Sequence, residues 1–165
     1  MRLTAYTDFS LRVLIYLALH PEPRPTIAEI ARAYAISRNH LMKVVFDLGR
    51  DGLVATTRGK KGGLRLGRPP GDIRLGEVVR RTEPDMALVP CFSPARQSCV
   101  ITPACRLRAA MDEARAAFLD VLDGYTLADL VADPDPLVAL LGRAARPNSP
   151  QAADQLRSEA SLRPR

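Results

Sequence analysis

The chain has 165 residues, 47% of them hydrophobic, which is enough for one compact domain with an accessory element and too little for two independent cores. Aromatic residues make up only 5% and tryptophan is absent, so the core must be aliphatic; with few of the residues on which β-rich folds lean, a mostly α fold is expected. The net charge of +6 is local: Arg38, Lys43, Arg50, Arg58, Lys60, Lys61, Arg65 and Arg68 face only Asp47 and Asp51 between Ser37 and Arg68, an excess of six that accounts for the whole imbalance. A basic cluster of this kind is either a solvated face or a surface for nucleic acid.

The first element is the run TDFSLRVLIYLALHPE. Thr7 or Asp8 reads as its N-cap, Phe9, Val13, Tyr16 and Leu17 share one face, and Pro21 and Pro23 stop it. Its apolar stretch from Leu11 to Leu19 is too short to span a bilayer, carries Arg12 and is followed by no cleavage site, so a cytoplasmic protein is expected.

In TIAEIARAYAIS, Thr26 and Glu29 form a Thr-x-x-Glu capping box for a short helix that buries Ile27, Ile30 and Ala31. A tight turn at Tyr34 to Ile36 leads to Ser37, a second cap, and to the helix RNHLMKVVFDLGR, closed near Gly52. Helix, brief turn and helix match the helix-turn-helix arrangement, in which the first turn of the second helix meets base edges in the major groove. Arg38 is suited to guanine and Asn39 to adenine, Lys43 to a phosphate, while His40 reads equally as a surface or capping residue.

After Gly52 the pattern becomes LVATTRGKKGGLRLG, two short alternating stretches around Gly59 to Gly63. This predicts a β-hairpin with a basic tip, a wing, in which Arg58, Lys60, Lys61 and Arg65 supply charge for phosphates or the minor groove. The rival reading of a glycine-rich loop, nucleotide binding, lacks both the G-x-x-x-x-G-K-[ST] and the G-x-G-x-x-G pattern.

All three cysteines stand in CFSPARQSCVITPAC, at Cys91, Cys99 and Cys105. An odd number of cysteines in a reducing compartment argues against a disulfide framework and for metal or redox use, with inert buried thiols as the alternative. The spacings of seven and five intervening residues, with only His20 and His40 as histidines, do not suit structural zinc. An iron-sulfur cluster fits better, its fourth iron site taken by an oxygen ligand or a distant residue. Arg96, Arg106 and Arg108 either offset the charge of such a cluster or are solvated.

Thr102 reads as N-cap, Pro103 as first residue and Gly124 as terminator of a helix of about twenty residues. Leu107, Met111, Ala114, Phe118 and Val121 form a seam for another long helix, and no other stretch reads as one of similar length, so a twofold homodimer on a palindromic site is expected. TLADL opens a last short helix with its own Thr-x-x-Asp cap, Thr126 to Asp129, and the proline- and arginine-rich end beyond about Arg146 is expected to be disordered. No Ser/His/Asp set, cysteine-histidine pair or framed carboxylate pair points to an enzyme.

The stretches LTAYTDFSLRVLIYLA, ISRNHLMKVV, RGKKGGLRLGRP, IRLGEVVRRTEPD, CVITPACRL and YTLADLV together resemble NsrR repressors, the nitric-oxide-sensing branch of the winged-helix iron-sulfur regulators that also include IscR and RirA. The resemblance implies a mostly α winged helix-turn-helix with a two-stranded β wing and a long C-terminal dimerisation helix. It further implies a homodimeric repressor binding double-stranded DNA and holding one cluster, 4Fe-4S or 2Fe-2S, per subunit through Cys91, Cys99 and Cys105. In a similar NsrR the fourth ligand is an aspartate of the other subunit, at the position of Asp8 here; Asp8 reads equally as a helix cap. The gap between Cys91 and Cys99 is similar to that in RirA, an iron-responsive regulator, which keeps an iron or cluster-status signal as the alternative; a carrier or electron-transfer protein is the remote one. The expected organisation is a DNA-binding domain at 1–83, a cysteine loop at 84–105, a dimerisation helix at 103–124, a short helical segment at 125–146 and a disordered tail at 147–165.

Overall fold

The computed structural model of the protein describes residues 2–57, 59, 62–92 and 99–144. Its elements are α1 (Ala5–Leu19), α2 (Ile27–Tyr34), α3 (Arg38–Arg50), β1 (Val54–Thr57), β2 (Gly63–Leu66), α4 (Leu75–Thr82), α5 (Arg106–Asp123), α6 (Leu127–Leu130) and α7 (Pro134–Ala144). The two strands pair antiparallel, from Val54 opposite Leu66 to Thr57 opposite Gly63. The winged helix-turn-helix expected from the sequence is present.

One aliphatic core holds the winged domain. Val13, Leu14 and Leu17 of α1 pack with Ile30 of α2, with Leu41, Val44, Val45 and Leu48 of α3, and with Val78 of α4; Leu53, Val54 and Leu64 seal the base of the wing. Helical spacing of these residues puts one face of each helix inward. The turn between α2 and α3 is closed by Ala35 in the left-handed conformation (φ 54°), with Ile36 N–H bonded to the Ala31 carbonyl at 2.9 Å and its side chain buried. The wing is pinned to the rest by Leu64 N–H donating to the Pro25 carbonyl at 2.8 Å. At Gly63 a β-carbon would come within 2.8 Å of that of Arg24, so only glycine permits this approach.

The N-cap of α1 is Thr4, not Thr7 or Asp8. The helix gains its extra turn from a tertiary contact: Thr4 N–H and Oγ1 both reach Glu83 Oε1, at 2.8 and 3.1 Å, while Thr4 Oγ1 accepts from the Thr7 N–H. Thr7 is fully buried and Asp8 lies inside the helix, paired with Arg12. The Thr26–Glu29 capping box is formed as expected, and its hydrogen bonds, the one from the Thr26 backbone first, hold the Glu29 carboxyl below the usual range. Ser37 stands at the N-cap position of α3, but its side chain makes no capping bond.

The long helix also starts later than expected, at Arg106. Thr102–Ala104 form a separate 3-10 turn, and Cys105 then turns extended (φ −78°, ψ 107°) and caps α5 with its sulfur. A proline at φ near −65° suits a 3-10 turn as well as a first α turn, so Thr102-Pro103 by itself does not say which follows. The far end of α5 is fixed to the winged domain. Asp123 takes a two-pronged ion pair from Arg80 of α4 (Nη1 to Oδ1 2.7 Å), which holds its carboxyl below the usual range, and its carbonyl accepts from Arg74. After the Gly124 turn the chain runs back beside α4: Leu75 N–H bonds the Tyr125 carbonyl, Leu127 N–H bonds the Ile73 carbonyl, and the Leu127 side chain enters the core with 0% exposure.

The segment after α5 contains two helices rather than one. α6 carries the expected Thr126–Asp129 cap, and α7 follows it and packs on α2. The tail at 147–165 lies outside the described residues.

Candidate nucleic-acid interface and cysteine site

The orientation of α3 follows from its buried residues. Leu41, Val44, Val45 and Leu48 face the core, and at about 100° per residue the opposite face carries Asn39, Lys43, Phe46 and Arg50, flanked by Met42. All five are exposed, as are Arg38 and His40. Arg38, Asn39 and Lys43 are therefore open to solvent on the outer side and first turns of α3. His40 stacks on Phe9 of α1, ring centroids 6.1 Å apart, which gives it a packing partner at the edge of this face.

Ion pairs sort the basic excess. Arg68 donates to both oxygens of Glu77 at 2.8 and 2.9 Å, and Arg81 joins the same carboxylate at 3.0 Å, so Arg68 serves the fold. Asp47 is engaged by the Tyr6 hydroxyl at 2.7 Å and faces Arg50 at 3.8 Å. Arg65 on β2 is exposed and donates to the Leu66 carbonyl. Arg58, Lys60 and Lys61 lie outside the described residues, between Thr57 and Gly62 and hence at the wing tip in sequence. Sequence reasoning missed Phe46 and Met42 as outward residues; the phase of α3 was the signal that placed them there.

Cys91 lies in a 3-10 turn at Pro90–Phe92 and is half-buried, Cys99 is exposed, and Cys105 is half-buried at the N-terminus of α5. Among the described residues no three histidine, cysteine or acidic side chains are gathered closely enough to hold a metal ion. Residues 93–98, with Arg96, fall outside the description. The donors nevertheless suit a thiolate-bound group: all three thiols are free, and Cys105 Sγ already accepts the Arg108 N–H at 3.4 Å, where the helix dipole favours an anion. A cleft of about 600 Å³ beside it is lined by Phe92, Thr102, Arg106, Arg108 and Arg115. Asp8 is far from needed as a cap: its carboxylate, 46% exposed, pairs with Arg12 at 3.0 Å and is reachable from outside the chain.

The seam expected on α5 is open. No α5 residue is buried; Leu107 and Val121 are 60% and 61% exposed, Ala114 is exposed, and Met111 and Phe118 are half-buried. α1 comes nearest to α5 in length, at 15 against 18 residues, but spends its apolar face on the core.

Residues 3–133 match the family described as Rrf2, iron-dependent transcriptional regulator. The chain belongs to the Rrf2 family. It is similar to the HTH-type transcriptional regulator NsrR of Bacillus subtilis, 52% identical over 142 residues, covering 86% of this chain and 97% of that protein. Among solved Rrf2-like structures, CymR, the global cysteine regulator of B. subtilis, superposes with a TM-score of 0.65 at 28% identity over 80% of this chain and 97% of that one. IscR of T. potens gives 0.64 at 25% identity over 81% and 88%. The Rrf2 assignment makes this chain a DNA-binding transcriptional regulator. No described helix is long and apolar enough to cross a membrane.

Proposed function

We propose that the protein is a homodimeric transcriptional repressor of the NsrR type, whose grip on a palindromic operator depends on an iron-sulfur cluster and is released by nitric oxide. The observation that carries the reading is the place of the cysteines: Cys91 to Cys105 span the connection between the winged domain and α5, and Cys105 itself caps α5. Cys91, Cys99 and Cys105 would hold the cluster, with Asp8 of the partner subunit as fourth ligand. Bound there, the cluster supplies iron that reacts with nitric oxide.

The chain's own residues do the rest. Arg38 and Asn39 read bases, Lys43 and the wing residues Arg58, Lys60, Lys61 and Arg65 take phosphates, and His40 borders the reading face. The seam Leu107, Met111, Ala114, Phe118 and Val121, none of it buried in the single chain, pairs two copies, which sets two α3 helices about one helical turn of DNA apart. Tied thiols shorten the connection between α4 and α5 and fix that spacing; freed thiols lengthen it. Losing about 3 kcal/mol of preorganisation in this way weakens operator binding roughly a hundredfold, enough to switch transcription.

The test is an oxygen-free absorbance titration with nitric oxide run beside a gel-shift assay, with an iron chelator in a parallel series. The proposal expects loss of the cluster bands and of the shifted complex at the same nitric oxide dose, and loss of both in Cys91→Ala, Cys99→Ala and Cys105→Ala. Response to the chelator alone would favour the iron-responsive reading, for which the long Cys91–Cys99 gap speaks. An iron-free protein that holds its promoter at full strength would refute both.

A further inference from the structure

Phe46 is 66% exposed and Met42 47% exposed, one helical turn apart on α3, in a protein that keeps its other α3 hydrophobics at 5% exposure or less. The pair is not an extension of the core, since Phe46 lies on the face opposite Leu41, Val44, Val45 and Leu48. It shares that face with Asn39 and Lys43, and Arg38, Lys43 and Arg50 surround it. Asp47, the residue after Phe46, is engaged by the Tyr6 hydroxyl. The cores of protein-protein contacts are depleted of charge, so an apolar pair ringed by cations suits a different partner: a polyanion that presents apolar spots. The major groove is such a surface, because every thymine shows its C5-methyl group there.

We infer that Phe46, supported by Met42, is a specificity-determining residue that reads thymine methyl groups in the operator. This rests on the proposal that α3 enters the major groove, and deepens it by naming a base that Arg38 and Asn39 do not account for. Phe46 follows Asn39 by seven positions, about 10 Å along the helix axis, or roughly three base-pair steps. The thymine read by Phe46 thus lies about three steps from the base read by Asn39, in each half-site.

The test starts by selecting duplexes from a random-sequence pool with the full chain, purified without oxygen. Each thymine of the selected duplex is then replaced singly by uracil, which removes only the methyl group, and affinities are measured for the native protein, Phe46→Ala and Met42→Ala. Burial of one methyl group corresponds to about a fourfold change in affinity. The native protein is expected to lose at least that much at one thymine per half-site, and Phe46→Ala to lose affinity for the thymine duplex while showing no uracil penalty at that position. Because Phe46 is exposed, Phe46→Ala should melt with the native protein, which separates a reading role from misfolding. Native affinity in Phe46→Ala, or a uniform loss with every uracil penalty retained, would overturn the inference while leaving the DNA-reading proposal standing. A native protein that selects no sequence would overturn that proposal, and this inference with it.

Discussion

Replacing Tyr6 by phenylalanine removes one hydrogen bond from the joint between α1 and α3 and leaves the ring in place. The Tyr6 hydroxyl donates to Asp47 Oδ2 over 2.7 Å; burial, then that bond, push its pKa well above the ordinary value of 10. A hydrogen bond to a charged group contributes about 1.5–3 kcal/mol net. The Asp47 side chain is 30% exposed, so water can replace the lost donor and the lower end applies, with no cavity to add to it. A loss of about 1.5 kcal/mol lowers the Tm of a domain of this size by roughly 3–6 °C. Thermal unfolding followed by circular dichroism at neutral pH measures it, and a urea titration should show a lower midpoint with an unchanged slope. The pH dependence has a definite sign. Above about pH 10 an unfolded tyrosine ionises while native Tyr6 keeps its proton, so the native state binds more protons and stability falls as pH rises; below pH 10 the contribution is complete. Tyr16 and Tyr34 are raised by burial too, Tyr34 to about 12, so Tyr6→Phe should make the alkaline fall shallower without removing it. If Tyr6→Phe melts within about 1 °C of the native protein, or if its loss simply adds to that of Asp47→Asn, the two groups are not coupled and the argument fails.

Leu127→Ala, at a site of 0% exposure, should cost about 2–5 kcal/mol and loosen the exit of α5; a loss under about 1 kcal/mol by urea titration would show that α6 is not part of the core. Stability should fall as pH drops below about 4, because Glu29, Asp123 and Asp129 are held below their ordinary values by the Thr26, Arg80 and Thr126 contacts and the unfolded chain then binds more protons. The combined variant Glu29→Gln, Asp123→Asn, Asp129→Asn should flatten that acid limb, and an unchanged limb would assign it to other carboxylates. Lys60→Ala with Lys61→Ala should weaken binding to every DNA sequence and reduce the slope of log affinity against log salt by about two; an unchanged slope would remove both from the interface.

Local chemistry was legible wherever a few adjacent residues settle it. Thr26-x-x-Glu29 and Thr126-x-x-Asp129 satisfy their own backbone donors, so both capping boxes could be read from the sequence and both are formed. The turn at Tyr34 to Ile36 and the alternation around Gly59 to Gly63 likewise placed the second helix of the helix-turn-helix and the wing. The cap of α1 was not legible, because Thr4 is chosen by Glu83, a residue 79 positions away. Nor was the start of α5, where Thr102-Pro103 serves a 3-10 turn and Cys105 becomes the cap. α7 has no fully buried residue and is held by packing on α2, which no local pattern announces.

By itself the sequence determined the aliphatic helical core, the basic segment and the three clustered thiols, because composition, periodicity and spacing are properties of neighbours along the chain. Tertiary structure decided how those parts are mounted. It bolted one end of α5 to α4 through Asp123 and Arg80, returned the chain so that Leu127 closes the core, and left Phe46 facing outward among cations. Those outcomes depend on which surfaces meet after folding, and residues far apart in the chain acquire that relation only when the core has formed.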